Sequence, residues 1–214
     1  MKLANYISTF KFSIKNIMSN NSLNLCIPKI NTWGCDLTMF RHAQGSHNAA
    51  GIFNTLEPHK HQLTELGVKQ AAETKFIPTK NMCFFSSNFT RCFQTASHFS
   101  DNIISDERFG EPKFYTQEDK QFNINYVLEY DKMCAENPFS QQTSFGRVES
   151  FESLLLRYCS ALQSSFDFAK TNGFTHVVIV AHFHTVKILL NIIEGKLPHE
   201  ARNIELCVPY HVFY

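Results

Sequence analysis

Arg41, His42, Arg91 and His182 have the side chains best suited to chemistry, and each stands where an apolar run gives out. Leu37, Met39 and Phe40 lead into Arg41-His42, and Gly45, His47 and Asn48 follow. The run Asn81–Ser87 leads through Ser86-Ser87 to Arg91, and "VVIVA" ends at His182. If the three runs are parallel strands, their carboxyl ends share one edge of a sheet, where ligands bind in open α/β folds. Two guanidinium groups and two imidazoles gathered there make a pocket for a dianion. Guanidinium binds phosphoryl oxygens through charge-assisted, bidentate hydrogen bonds. A neutral imidazole beside them can attack phosphorus.

Two other chemistries are available to these residue types. His182 with His184, and His59 with His61, form His-x-His pairs, a ligand spacing on strands. The carboxylates and cysteines that should accompany a metal are missing beside them, so no metal is expected. His59, Lys60 and His61 read as a solvated loop. The seven cysteines form no Cys-x-x-Cys pair and are odd in number. That argues against a zinc ribbon or a disulfide framework and for a reducing compartment.

The elements that must carry these residues alternate along the chain. Leu37–Phe40 reads as a strand, Leu63–Phe76 as a helix with Thr64 as N-cap, Asn81–Ser87 as a strand, and Thr90–Phe99 as a helix. Glu149–Gly173 reads as a long amphipathic helix, with Phe151, Leu154, Leu155, Tyr158 and Leu162 on one side and Gly173 as its stop. "THVVIVA" is apolar on both faces, as a central parallel strand requires. A helix over Thr185–Gly195 and a strand within "NIELCVPYHVFY" close the chain. The alternation predicts an α/β fold, a three-layer sandwich with a mostly parallel central sheet. Residues 100–143 are polar and weakly periodic, and read as a cap or insertion.

Composition narrows the field further. A net charge of +1 gives no argument for nucleic acid or an anionic membrane, and no apolar run approaches a membrane span. The amino terminus differs from the rest. Residues 1–32 hold Lys2, Lys11, Lys15 and Lys29 and no acidic residue, so they read as an extension, possible targeting included, before a domain at 33–214. The compartment expected is the cytoplasm, with an organelle as the alternative.

The same stretches resemble a known family. "RHAQGSHN" resembles the Arg-His-Gly signature of the histidine phosphatase superfamily, the phosphoglycerate mutase-like family. "HQLTELGVKQA" is similar to its LTxxGxxQA segment, "FFSSNFTRCFQTA" to SSPLxRxxQTA, "GRVESFESLLLR" to GESxxxxxxR, and "VVIVAHFHTVKILL" to the second histidine motif. The five occur in family order from about Leu37 to Leu190.

The resemblance implies specific roles. His42 would be the nucleophile that becomes phosphorylated, with His182 completing the pocket, and Arg41, Asn48 and Arg91 would bind phosphate. An acid must serve the leaving group. "NYVLEYDKM" is the nearest match to the family's acid segment, which makes Glu129 the expected residue and Asp131, Glu118 and Glu149 its alternatives. Several positions depart from the pattern. Ala43 stands where the family has glycine, Phe183 and His184 stand where small residues are common, and Asn88 and Phe89 stand near the family's Pro-Leu. The expected activity is a metal-independent phosphoric monoester hydrolase, without cofactor, acting through phosphohistidine on a small phosphorylated metabolite or a phosphoprotein. A catalytically silent binding module and a mutase-type phosphotransferase are the alternatives. Nothing in the sequence sets the oligomeric state.

Overall fold

A computed structural model describes residues 34–52, 54–115, 124–196 and 198–213. The extension at 1–32 and the alternative acid Glu118 lie outside these residues. In chain order the elements are β1 (Asp36–Arg41), α1 (Ser46–Ala49), α2 (Glu65–Ala72), β2 (Met82–Ser86), α3 (Thr90–Ala96), β3 (Ile103–Ser105), a 3-10 turn at Glu107–Phe109 and α4 (Ile124–Glu136). After them come β4 (Gln142–Thr143), β5 (Gly146–Arg147), α5 (Phe151–Thr171), β6 (His176–Ala181), α6 (Phe183–Ile193) and β7 (Pro209–Val212).

The main sheet has the order β3-β2-β6-β1-β7. β6 pairs in parallel with β1 and β2, β2 pairs in parallel with β3, and β7 runs antiparallel to β1 on the edge. Strand side chains alternate between faces, and β6 divides its residues accordingly. Val177, Ile179 and Ala181 join the core that α5 and α6 cover through Leu154, Tyr158, Leu162, Val186 and Leu189. Val178 and Val180 join the opposite core, with Phe40, Phe84, Ala71, Cys92 and Ala96. The predicted three layers and mostly parallel sheet are present.

Helix ends follow the expected signals. The Thr64 hydroxyl accepts from the Gly67 amide and starts α2. α5 stops two residues before Gly173, whose φ of +73° suits glycine. The segment read as irregular, 100–143, differs from that expectation. Its start supplies β3, a strand of the main sheet, and its end supplies α4 and β4. β3 is only three residues long on an edge, too short to show a strand period. The Lys187 ammonium, buried in α6, pairs with Asp131 of α4 at 2.8 Å and ties that helix to the domain. Among the described residues, no helix is long and apolar enough to cross a membrane.

Candidate active site

Register brings the reactive ends together. Arg41 lies opposite Ala181, and Ser86 opposite Val180. The pairing continues one step past the strands: the His42 amide donates to the Ala181 carbonyl and the Ser87 amide to the Val180 carbonyl. His182 is the N-cap of α6. Arg91 sits in the first turn of α3, just beyond β2. These ends line a cavity of about 250 Å³, walled by Arg41, His42, Asn48, Arg91 and His182 and also by His47, Asn54, Glu111 and His184. Ile52, Thr55, Val127 and Phe183 complete it.

Arg91 is at the centre and only 1% exposed. Its Nε donates to His42 Nε2 at 3.3 Å, its Nη1 to the Asn54 side-chain oxygen at 3.0 Å, and its Nη2 to the Asn54 carbonyl at 3.1 Å. Nη2 also lies 3.4 Å from His182 Nδ1. None of these partners is a carboxylate. A buried guanidinium without a paired anion is costly, so the site is built to receive negative charge. Burial lowers the Arg91 pKa to about 10, which still leaves it charged at neutral pH.

The tautomer of His42 follows from its neighbours. Nδ1 is 2.7 Å from the Ala43 carbonyl, an acceptor only, so Nδ1 carries the hydrogen. Nε2 then holds a lone pair, directed at Arg91. Burial, followed by Arg91, His47 and Arg41, holds the His42 pKa well below its ordinary value. His42 is therefore a neutral imidazole with its free nitrogen beside a guanidinium. His182 is likewise buried and held neutral by burial and by Arg91; its Nε2 meets Ser87 Oγ at 2.9 Å. The two rings stand edge to face, 5.3 Å apart. His47 packs 5.4 Å from His42, and burial with nearby positive charge pulls its pKa down to about 2.

Several buried polar atoms of the cavity residues have no partner: Arg41 Nε, Asn54 Nδ2, His47 Nδ1 and His184 Nε2. Buried polar atoms are nearly always satisfied. Arg41 Nε and Asn54 Nδ2 can only donate, which adds to the demand for an anion.

Glu129 does not line the cavity. Its carboxylate is taken by the amide and hydroxyl of Ser144, because α4 turns Val127 rather than Glu129 toward the site. The alternatives are also occupied: Asp131 pairs with Lys187, and Glu149 with Arg157. Among the described residues, the carboxylate that lines the cavity is Glu111. It follows β3, whose parallel pairing of Ser86 with Ser105 puts its carboxyl end on the same edge as the others. Both Glu111 oxygens accept from the His184 amide at 3.2 Å, and His184 Nδ1 lies 3.1 Å from Oε2. The carboxylate thus sits at the N-terminus of α6, where the helix dipole favours negative charge. Burial alone would raise the Glu111 pKa; His184 and then Arg41 outweigh it and hold the group below its ordinary value. The signal for this residue is weak: the strand before it, Ile103–Ser105, has only three residues and shows no period.

The surrounding segments hold these groups in place. The loop after His42 is fixed at Gln44, whose carbonyl accepts from the Thr64 amide and whose amide donates to the Gln70 side chain. Gly67 packs so closely on Gln44 that a Cβ would lie 2.1 Å from its carbonyl oxygen, so only glycine fits. Thr95 Oγ1 accepts from the Ala43 amide. The loop carrying Glu111 is fixed by Arg157, which makes two bonds to Glu149 at 2.7 and 2.8 Å. Arg157 also donates to the carbonyls of Arg108, Gly110 and Glu111.

Residues 37–212 match the model of the histidine phosphatase superfamily, branch 1. The chain belongs to that superfamily. Solved structures agree on the fold. A phosphoserine phosphatase from Entamoeba histolytica, in complex with 3-phosphoglyceric acid, superposes with a TM-score of 0.62 at 19% identity, covering 82% of this chain and 89% of its own. A mycobacterial glucosyl-3-phosphoglycerate phosphatase in complex with VO3 gives 0.62 at 17% identity, over 83% and 90%. Phosphoglycerate mutase from Bacillus anthracis str. Sterne gives 0.58 at 17%, over 77% and 83%. No curated protein matches the chain.

The histidine phosphatase departures now have places. Ala43 is fully buried, and among the described residues only Cys207 is a non-glycine with positive φ, so alanine is unstrained there. Phe183 stacks under the Arg41 guanidinium at 5.4 Å, and His184 binds Glu111. His61, read as solvated, bonds Ser46 at 2.9 Å and packs 5.6 Å from His47. Among the described residues, no group of three or more His, Cys, Asp or Glu could hold a metal ion.

Proposed function

We propose that the protein hydrolyses phosphoric monoesters through a phosphohistidine formed on His42, without a metal. The observation that carries this reading is the His42–Arg91 pair, a neutral imidazole with its free Nε2 against a buried guanidinium that lacks an anion. A phosphoryl dianion entering the cavity meets Arg91, Arg41, Asn48 and Asn54, donors already in position for charge that spreads over the transferring group. His42 Nε2 attacks phosphorus opposite the ester oxygen, and His182 donates to a phosphoryl oxygen. Glu111 lies on the leaving-group side, where the sequence had expected Glu129, and with His184 it forms the acid side of the cavity. Water then attacks the phosphohistidine and releases inorganic phosphate.

The cavity's size suits one phosphoryl group and part of its ester, so a small phosphorylated metabolite or an exposed phosphorylated side chain is the substrate class. The test is hydrolysis of p-nitrophenyl phosphate by the purified chain in EDTA. Turnover undiminished by the chelator is expected. Turnover that disappears in EDTA and returns with zinc would overturn the metal-free reading. No turnover at all would favour a silent binding module, and interconversion of phosphoglycerates without phosphate release would favour a mutase.

A further inference from the structure

We propose that His184 is a second acid–base residue, which carries the proton to the leaving oxygen from Nε2 while Glu111 holds and polarises its ring. This rests on the phosphatase reading above and adds to it the identity of the proton donor. His184 is 3% exposed and lines the same cavity as His42 and Arg91. Its Nδ1 is committed to Glu111, and its Nε2 is buried with no partner. The ring is also fixed from outside: Phe183 packs against it at 5.2 Å and Tyr130 at 6.2 Å, both edge to face.

Both Glu111 oxygens are engaged by His184, through its amide and its ring. The carboxylate therefore has no oxygen reserved for the ester, and its lowered pKa keeps it ionised. The pair would deliver acid through Nε2, the ring nitrogen without a partner on a residue that lines the cavity. The histidine stands where the superfamily commonly has a small residue, so the relay belongs to this chain's own sequence.

The steps balance from the form of His184 that carries a hydrogen on both nitrogens, with Nδ1–H on Glu111 and Nε2–H free for the ester oxygen. The His42 Nε2 lone pair forms the N–P bond, and the P–O bond breaks with its electron pair on the ester oxygen. That oxygen takes the proton from His184 Nε2 and leaves as an alcohol. Water next attacks phosphorus and gives a proton to His184 Nε2. The N–P electron pair returns to His42, and inorganic phosphate leaves.

The deciding variant is His184→Asn. Its side-chain amide can occupy the place of Nδ1 and keep the bond to Glu111, but it has nothing at the place of Nε2. Turnover of an alkyl phosphate should fall by about 10²-fold or more, the usual contribution of general acid catalysis. Phosphoenzyme formation from p-nitrophenyl phosphate, whose phenolate leaves without a proton, should fall by less than about 5-fold and certifies the fold. His184→Gln on the same two esters serves if the asparagine variant does not fold. Alkyl phosphate turnover retained in His184→Asn would show that His184 only positions Glu111. Equal losses on both esters would show a structural role. Either result overturns the proposal alone, whereas wild-type protein inert to both esters overturns the phosphatase reading and this proposal with it.

Discussion

The two sides of the cavity are built differently. In the proposed reaction, the side that faces phosphorus is made from the ends of three adjacent parallel strands. Arg41-His42, Ser87 and Arg91, and His182 are set by sheet register, and backbone bonds extend past the strands to hold them. The side that faces the leaving group hangs on the loop after β3, a three-residue edge strand, and is fixed by side chains: Arg157 on its carbonyls and His184 on Glu111. A site can therefore combine a phosphate-binding half fixed by the backbone with an acid half that depends on side-chain contacts. The first half should tolerate little change, and the second should fail selectively.

The largest predicted loss comes from the phosphorus side. Arg91→Ala removes the central donor and the charge that balances the dianion. Turnover of p-nitrophenyl phosphate should fall by about 10³-fold, comparable to loss of a strong oxyanion contact. A loss below about 10-fold would mean that Arg41 and Asn54 suffice and that the two sides are less unequal than argued. On the acid side, Glu111→Gln should slow an alkyl phosphate by about 10²-fold and an activated phenyl phosphate by only a few fold. Equal losses on both esters would erase the distinction between the sides.

The histidines on the phosphorus side make stability depend on pH. His42, His47 and His182 are held below their ordinary pKa by burial and by Arg91. The unfolded chain binds protons at these positions near pH 6.5, and the folded chain does not. Stability is thus intact above that pH and declines as the pH falls below it. The thermal midpoint should drop steadily between pH 6.5 and 4.5. His47→Gln, which removes one of the three, should flatten the slope. An unchanged slope would show that His47 does not contribute.

The smallest effect is expected at Glu129. With its carboxylate bound to Ser144 outside the cavity, Glu129→Gln should change turnover of either ester by less than about 2-fold. A selective loss on the alkyl ester would return the acid to α4.

The same division explains what could be read from the sequence. β1, β2 and β6 are buried on both faces, and their apolar runs stop abruptly, so Arg41, His42, Arg91 and His182 stood out and converged as parallel strands require. Gly67 and Thr95 lie within the quoted motifs, but that they hold the loop after His42 is visible only in the tertiary contacts. β3 is half exposed and three residues long, too short to display a period. The edge it shares with β2 was therefore hidden, and Glu111 with it. Glu129 has the right residue type near a plausible motif, but helix phase decides its direction, and α4 turns Val127 inward instead. Asn54 was equally illegible, since an asparagine in a loop becomes a partner for Arg91 only through tertiary contact.

The central claim is that His42 Nε2 accepts the phosphoryl group. Acid-quenched reaction with a ³²P-labelled ester measures this directly. The wild-type chain should trap a label that is lost in acid and stable in alkali, located on His42, and His42→Ala should trap none while losing about 10³-fold or more in turnover. Label that persists in His42→Ala, or a wild-type chain that turns over steadily with no label on His42, would contradict the account.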